Sequence, residues 1–61
     1  MKQFAIQRKT QNKALYRDGH TPHWTEHQDE ATLFEFETMA VLTAFSIGLS
    51  DTEFEIVRFD A

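Results

Sequence analysis

Charge along this chain is sorted by position. Lys2, Arg8, Lys9, Lys13 and Arg17 lie in the first 17 residues with no acid among them, whereas residues 18–61 hold all ten Asp and Glu against one base, Arg58. The first segment is therefore +5 and the remainder −9, which gives the net charge of −4. Opposite charges facing each other across neighbouring strands stabilise a sheet and like charges destabilise it. If the first and last strands are neighbours, the sorting sets Lys2 or Arg8 near Glu53 or Glu55. The same asymmetry offers two electrostatic faces to partners.

Sixty-one residues make one domain, residues 1–61. A chain this short buries only about 60% of the surface exposed when unfolded, so its core has little to spare. The absence of cysteine removes disulfides and thiolate metal sites as reinforcement. Aromatic residues at 13%, with one Pro and two Gly, argue for an ordered fold rather than a disordered tail. The longest apolar run, residues 39–42, is far short of the roughly 20 residues that span a bilayer. No apolar core of signal-peptide length stands in the first eleven residues. The expectation is a soluble, cytoplasmic protein without a membrane partner. Net negative charge also argues against direct nucleic-acid binding, which depends on Lys and Arg neutralising phosphates.

Residues 2–9 alternate, with Phe4 and Ile6 on one side and Gln3, Gln7 and Lys9 on the other, the pattern of a half-buried strand. Thr10, Gln11 and Asn12 suit a three-residue hairpin loop into a second strand over 13–17. Asp18-Gly19 then ends that strand, a pair suited to positive φ. Residues 18–30 form a polar connection that carries all three histidines, Pro22 and Trp24, with Thr25 placed to cap a helical turn over 26–30. Residues 31–36 predict a third strand, Thr32, Phe34 and Phe36 sharing one face with Leu33 opposite. Thr38 is a candidate N-cap for a helix over 39–47 whose stripe is Val41, Leu42, Ala44 and Phe45. Gly48 is the natural stop, and Leu49 can fold back across it. Residues 53–59 alternate again, with Phe54 and Ile56 inward.

The predicted fold is α+β: a small three- to four-stranded, mainly antiparallel sheet with one helix packed on one face, in the order β-β-β-α-β. The helix is expected to bury Leu42 and Phe45 against Phe4, Ile6, Phe34 and Ile56.

Catalytic machinery is not visible. Ser46 falls in the helix and Ser50 in a turn, neither near a base, and two glycines cannot build a phosphate loop. No enzyme activity and no cofactor are expected. His20, His23 and His27 would suit zinc if they converged, but Pro22 interrupts any helix that would align them, and no metal is assigned. The acids Glu26, Asp29, Glu30, Glu35 and Glu37 read first as a solvated face; mimicry of nucleic-acid phosphates would need denser charge. Two readings are open for Trp24: a plug over one end of the core, or an exposed anchor of the kind enriched at interface hot spots. In the second, Tyr16, Arg17, His20, His23, Trp24 and His27 form a partner-binding loop.

The strand KQFAIQRK, the Trp-bearing middle, the run ATLFEFET before a short helix and the closing EFEIVRF resemble small proteins encoded by bacteriophages and prophages. The element order is also similar to that of the small inhibitors of bacterial RNA polymerase from T7-group phages, though no residue-level motif carries over. The resemblance implies a non-enzymatic protein that binds a host bacterial protein and inhibits an enzyme or a defence complex. A homo-oligomer would relieve the small core. The rival class is an oligomeric sponge for a nucleotide signal, with Arg8, Lys9, Lys13 and Arg17 on phosphates and Tyr16 or Trp24 stacked on a base.

Overall fold

The computed structural model describes residues 2–19 and 23–59. Strands β1 (Phe4–Arg8), β2 (Leu15–Arg17), β3 (His23–Thr25) and β4 (Phe54–Arg58) form one antiparallel sheet in the order β3-β2-β1-β4, and helix α1 (Glu37–Ser46) packs on it. The α+β class and the β-β-β-α-β order are those the sequence predicts.

The first and last strands pair with each other, β1 inside the sheet and β4 along its edge. Phe4, Ile6 and Arg8 stand opposite Arg58, Ile56 and Phe54, and Gln7 stands opposite Glu55. Within this register no basic residue stands opposite an acid; Arg8 lies near Glu53, and beyond the strands the Lys9 N–H donates to the Glu53 carbonyl at 3.0 Å. Alternation puts Ile6 and Phe54 on the side that α1 covers, where they join Tyr16, Ala40 and Ala44 in the buried core.

The β1–β2 connection, residues 9–14, is longer than a plain three-residue loop. A 3-10 turn over Gln11–Lys13 places Asn12 and Lys13 at φ of 60° and 54°, and the Arg8 N–H closes it on the Ala14 carbonyl at 2.9 Å. Strand β2 accordingly starts at Leu15 rather than at residue 13.

The third strand is His23–Thr25, not residues 31–36. Trp24 stands across from Tyr16 and Thr25 across from Leu15, so cross-strand partners outweigh the polar composition that marks the segment as a loop. The alternating stretch at 32–34 fills a gap instead. The Thr32 N–H donates to the Tyr16 carbonyl at 2.9 Å, while Phe34 and Phe4 exchange backbone bonds of 2.7 and 3.0 Å. Its hydrogen bonds are divided between β2 and β1, which leaves only an isolated bridge at Phe4–Phe34.

Helix α1 starts two residues before the expected boundary, with Phe36 at the N-cap and Thr38 inside the first turn. It ends as predicted. Gly48 adopts φ +95°, its N–H donates to the Phe45 carbonyl, and the Leu49 N–H reaches the Ala44 carbonyl, each at 3.1 Å. These two bonds make a Schellman motif, and Leu49 packs back on the core.

The face that α1 buries agrees with expectation at Ala44 and Val41, and Phe45 packs edge-on against Phe54 with ring centroids 5.5 Å apart, but Leu42 departs from it. Ala40 and Ala44 are fully buried against the sheet, whereas Leu42 is 67% and Phe45 48% exposed. Two alanines one turn apart let the helix backbone approach the strands closely. Leu42 lies two residues from each alanine, hence about 160° round the helix from both, and faces outward.

Candidate functional site

The β2–β3 ribbon holds four of the six residues that the sequence nominates for partner binding, Tyr16, Arg17, His23 and Trp24, and it distributes them over two surfaces. Tyr16 is buried in the core, its hydroxyl donating to Asp18 Oδ1 at 3.3 Å. Trp24 is half-buried and packs edge-on against Tyr16 with ring centroids 5.9 Å apart. The Arg8 guanidinium lies 4.7 Å from the centre of the indole ring. Trp24 thus caps one end of the core, as the plug reading requires, and Arg8 covers it by a cation–π contact. The rings and the arginine that would stack and neutralise a nucleotide are engaged with one another.

Arg17 and His23 are exposed, stand opposite each other across the ribbon and alternate to the reverse face. Arg17 approaches Glu30 Oε1 at 3.9 Å. His27 is exposed, and its N–H donates to Thr25 Oγ1 at 3.0 Å. That hydroxyl donates in turn to Glu30 Oε1 at 2.9 Å, so Thr25 serves the turn over Gln28–Glu30 from its place in β3. His20 and Pro22 lie outside the described residues. Among the described residues no group of three His, Cys, Asp or Glu side chains is placed to hold a metal ion.

Gly19 has a different role from the one expected. It is not at positive φ; the exposed His23 ring lies against it, and a Cβ there would require that ring to turn aside. Asp18 organises the same corner, Oδ1 accepting the Gly19 N–H at 3.0 Å while the Asp18 N–H donates to Thr32 Oγ1 at 2.7 Å.

Two groups have displaced titrations. Burial, followed by the charge of Asp18 and the hydrogen bond to it, raises the pKa of Tyr16 above the ordinary phenol value. Hydrogen bonds from Ser50, chiefly its backbone N–H at 2.9 Å from Oε1, hold Glu53 below the ordinary carboxyl value, with a smaller contribution from Arg8.

The surface that sequence reasoning missed is on α1. Phe36, Met39, Leu42 and Phe45 are the large apolar side chains left exposed among the described residues, and all four lie along this one helix. They follow one another at intervals of three, which makes neighbours of successive members. A shallow groove of about 350 Å³ beside them is lined by Glu37, Thr38, Val41 and Leu42. The sequence does carry a signal for it. After Glu37 the helix has no charged residue on any side, so whichever face turns away from the sheet is apolar or hydroxyl-bearing.

Comparisons with models of protein families, with curated proteins and with solved structures find no match to this chain.

Proposed function

We propose that this chain is a non-enzymatic protein-binding module that inhibits a host enzyme or defence complex by covering part of its surface. The observation that carries the reading is the exposed apolar stripe of Phe36, Met39, Leu42 and Phe45. Contiguous exposed apolar surface on a small domain marks an interaction site, whereas single exposed apolar residues do not. The aromatic and methionine content of the stripe also matches the residue types enriched at protein interfaces. The bacterial-host assignment rests on the likeness to small phage proteins.

The test is a tagged pull-down from bacterial lysate, followed by assay of whatever enzyme is recovered. Stoichiometric recovery of one protein whose activity falls when purified chain is added supports the reading. Recovery of a nucleotide with no protein, or of a protein whose activity is indifferent to the chain, overturns it.

A further inference from the structure

We propose that the outer face of α1 is a docking site for a basic amphipathic helix belonging to another protein. This deepens the protein-binding reading and rests on it.

Geometry sets the shape of the occupant. Ten residues of α1 extend about 15 Å, and each step of three turns about 60° back round the helix, so Phe36 and Phe45, the latter packed edge-on against Phe54, lie on opposite sides and a partner helix sits on Met39 and Leu42, crossing α1 obliquely. Such a helix presents anchors at i, i+3 or i+4, and i+7. The groove lined by Glu37, Thr38, Val41 and Leu42 accepts one of those anchors.

Charge sets its composition. No Lys or Arg occurs from residue 18 to residue 57. Glu35 and Glu37 flank the start of α1, and Asp51 and Glu53 lie in the turn that follows it; all four are exposed, with Arg8 near Glu53, whereas Glu55 alternates to the sheet face away from α1. The apolar stripe is therefore rimmed by acid at both ends, and a partner with Lys or Arg beside its apolar anchors complements it.

The same rim disfavours the other occupants. A second copy related by a two-fold axis would bring like charges together, since both ends of the helix are acidic. A second copy docked head-to-tail would offer its basic β1–β2 region, but the exposed large apolar residues of the described chain are all on α1, so no anchor would enter the groove. An anionic bilayer would repel the rim.

The probe is a fluorescent synthetic helix of about 18 residues with one leucine stripe on a lysine background, compared with a leucine–glutamate peptide carrying the same stripe. Binding to the full chain is followed by anisotropy. Leu42→Gln and Met39→Gln disturb only exposed positions, and Trp24 fluorescence verifies that each variant is folded. The expected result is binding of the Leu/Lys peptide, weakened about tenfold or more by Leu42→Gln. Glu37→Gln and added salt should weaken it by smaller factors, and the Leu/Glu peptide should not bind.

Several outcomes overturn the proposal: no binding of the Leu/Lys peptide, binding indifferent to Leu42→Gln, or equal binding of both peptides. So does a dimer seen by sedimentation, or a vesicle-bound form, that Leu42→Gln abolishes. The wider reading is separable. A lysate partner recovered and inhibited equally by wild type and Leu42→Gln would keep the module and remove this docking face.

Discussion

Replacing Ala44 by leucine, alongside Leu42 by alanine, tests how α1 is seated. Ala44 has no exposed surface and lies in the core with Ile6, Tyr16 and Phe54. Three added carbon atoms have no space there, and overpacking of this kind costs about 1–3 kcal/mol. Leu42 is two-thirds exposed. Removing it forfeits about a third of the 1.5–3 kcal/mol that full burial contributes, hence about 0.5–1 kcal/mol. The better helix propensity of alanine offsets about 0.2 kcal/mol of that loss. A domain of 61 residues has roughly 3–9 kcal/mol of stability at 0.05–0.15 kcal/mol per residue. Ala44→Leu should therefore remove a large share of it and Leu42→Ala almost none. Urea unfolding followed by Trp24 fluorescence measures both. With an m-value of about 1 kcal/mol/M, the Ala44→Leu midpoint falls by about 1–3 M and the Leu42→Ala midpoint by less than about 1 M. The opposite ranking, with Leu42→Ala costing more than about 2 kcal/mol as a buried leucine does and Ala44→Leu neutral, would refute the seating and place Leu42 against the sheet.

Thr25→Val leaves the His27 N–H and the Glu30 carboxylate without their hydroxyl partner and should cost about 1–2 kcal/mol in chemical denaturation. Arg17→Gln, which removes only an exposed ion pair at 3.9 Å, should cost less than about 0.5 kcal/mol. Gly48→Ala meets no neighbouring atom but must hold φ at +95°, so it should lower stability by about 1 kcal/mol through the backbone alone, read as a fall in Tm. Glu53 has a lowered pKa, so its contribution is present above the ordinary carboxyl value and is lost as pH falls through the lowered one. Glu53→Gln should flatten that acid limb of a stability–pH curve. Tyr16 has a raised pKa, so its contribution is full below the ordinary phenol value of about 10 and declines as pH rises beyond it. Tyr16→Phe should flatten the alkaline limb.

The parts of the fold that local patterns determine were legible in the sequence. Alternation at Phe4 and Ile6 and again at Phe54 and Ile56 marks β1 and β4, which pair, though not with opposite charges across from each other. Gly48 followed by Leu49 specifies the helix stop, because few residues other than glycine accept that φ. What distance decides was not legible. Hydrophobicity alone selects Leu42 for the buried stripe, but the approach of helix to sheet selects the smaller Ala40 and Ala44. Residues 31–36 have the period of a strand, yet their place in the sheet depends on how far β1 and β2 diverge, which no local pattern encodes. The nominated loop suffered the same way. Pairing across β2 and β3 sends Tyr16 and Trp24 to one face and Arg17 and His23 to the other.

The pairing of β1 with β4 also governs when the protein can take shape during its synthesis. About fifty residues separate Phe4 from its partner Arg58, an interval of roughly 3–10 s at elongation rates of about 5–20 residues/s. Throughout it the nascent chain holds its central strand with one edge open and Ile6 uncovered on that side. Nothing downstream of β1 can substitute, because β4 supplies the missing backbone partners and the Phe54 ring that completes the core. The domain therefore acquires its structure in one late step rather than by growth from the first residues. An arrest placed before residue 54 should leave a ribosome-bound chain as protease-sensitive as an unfolded one.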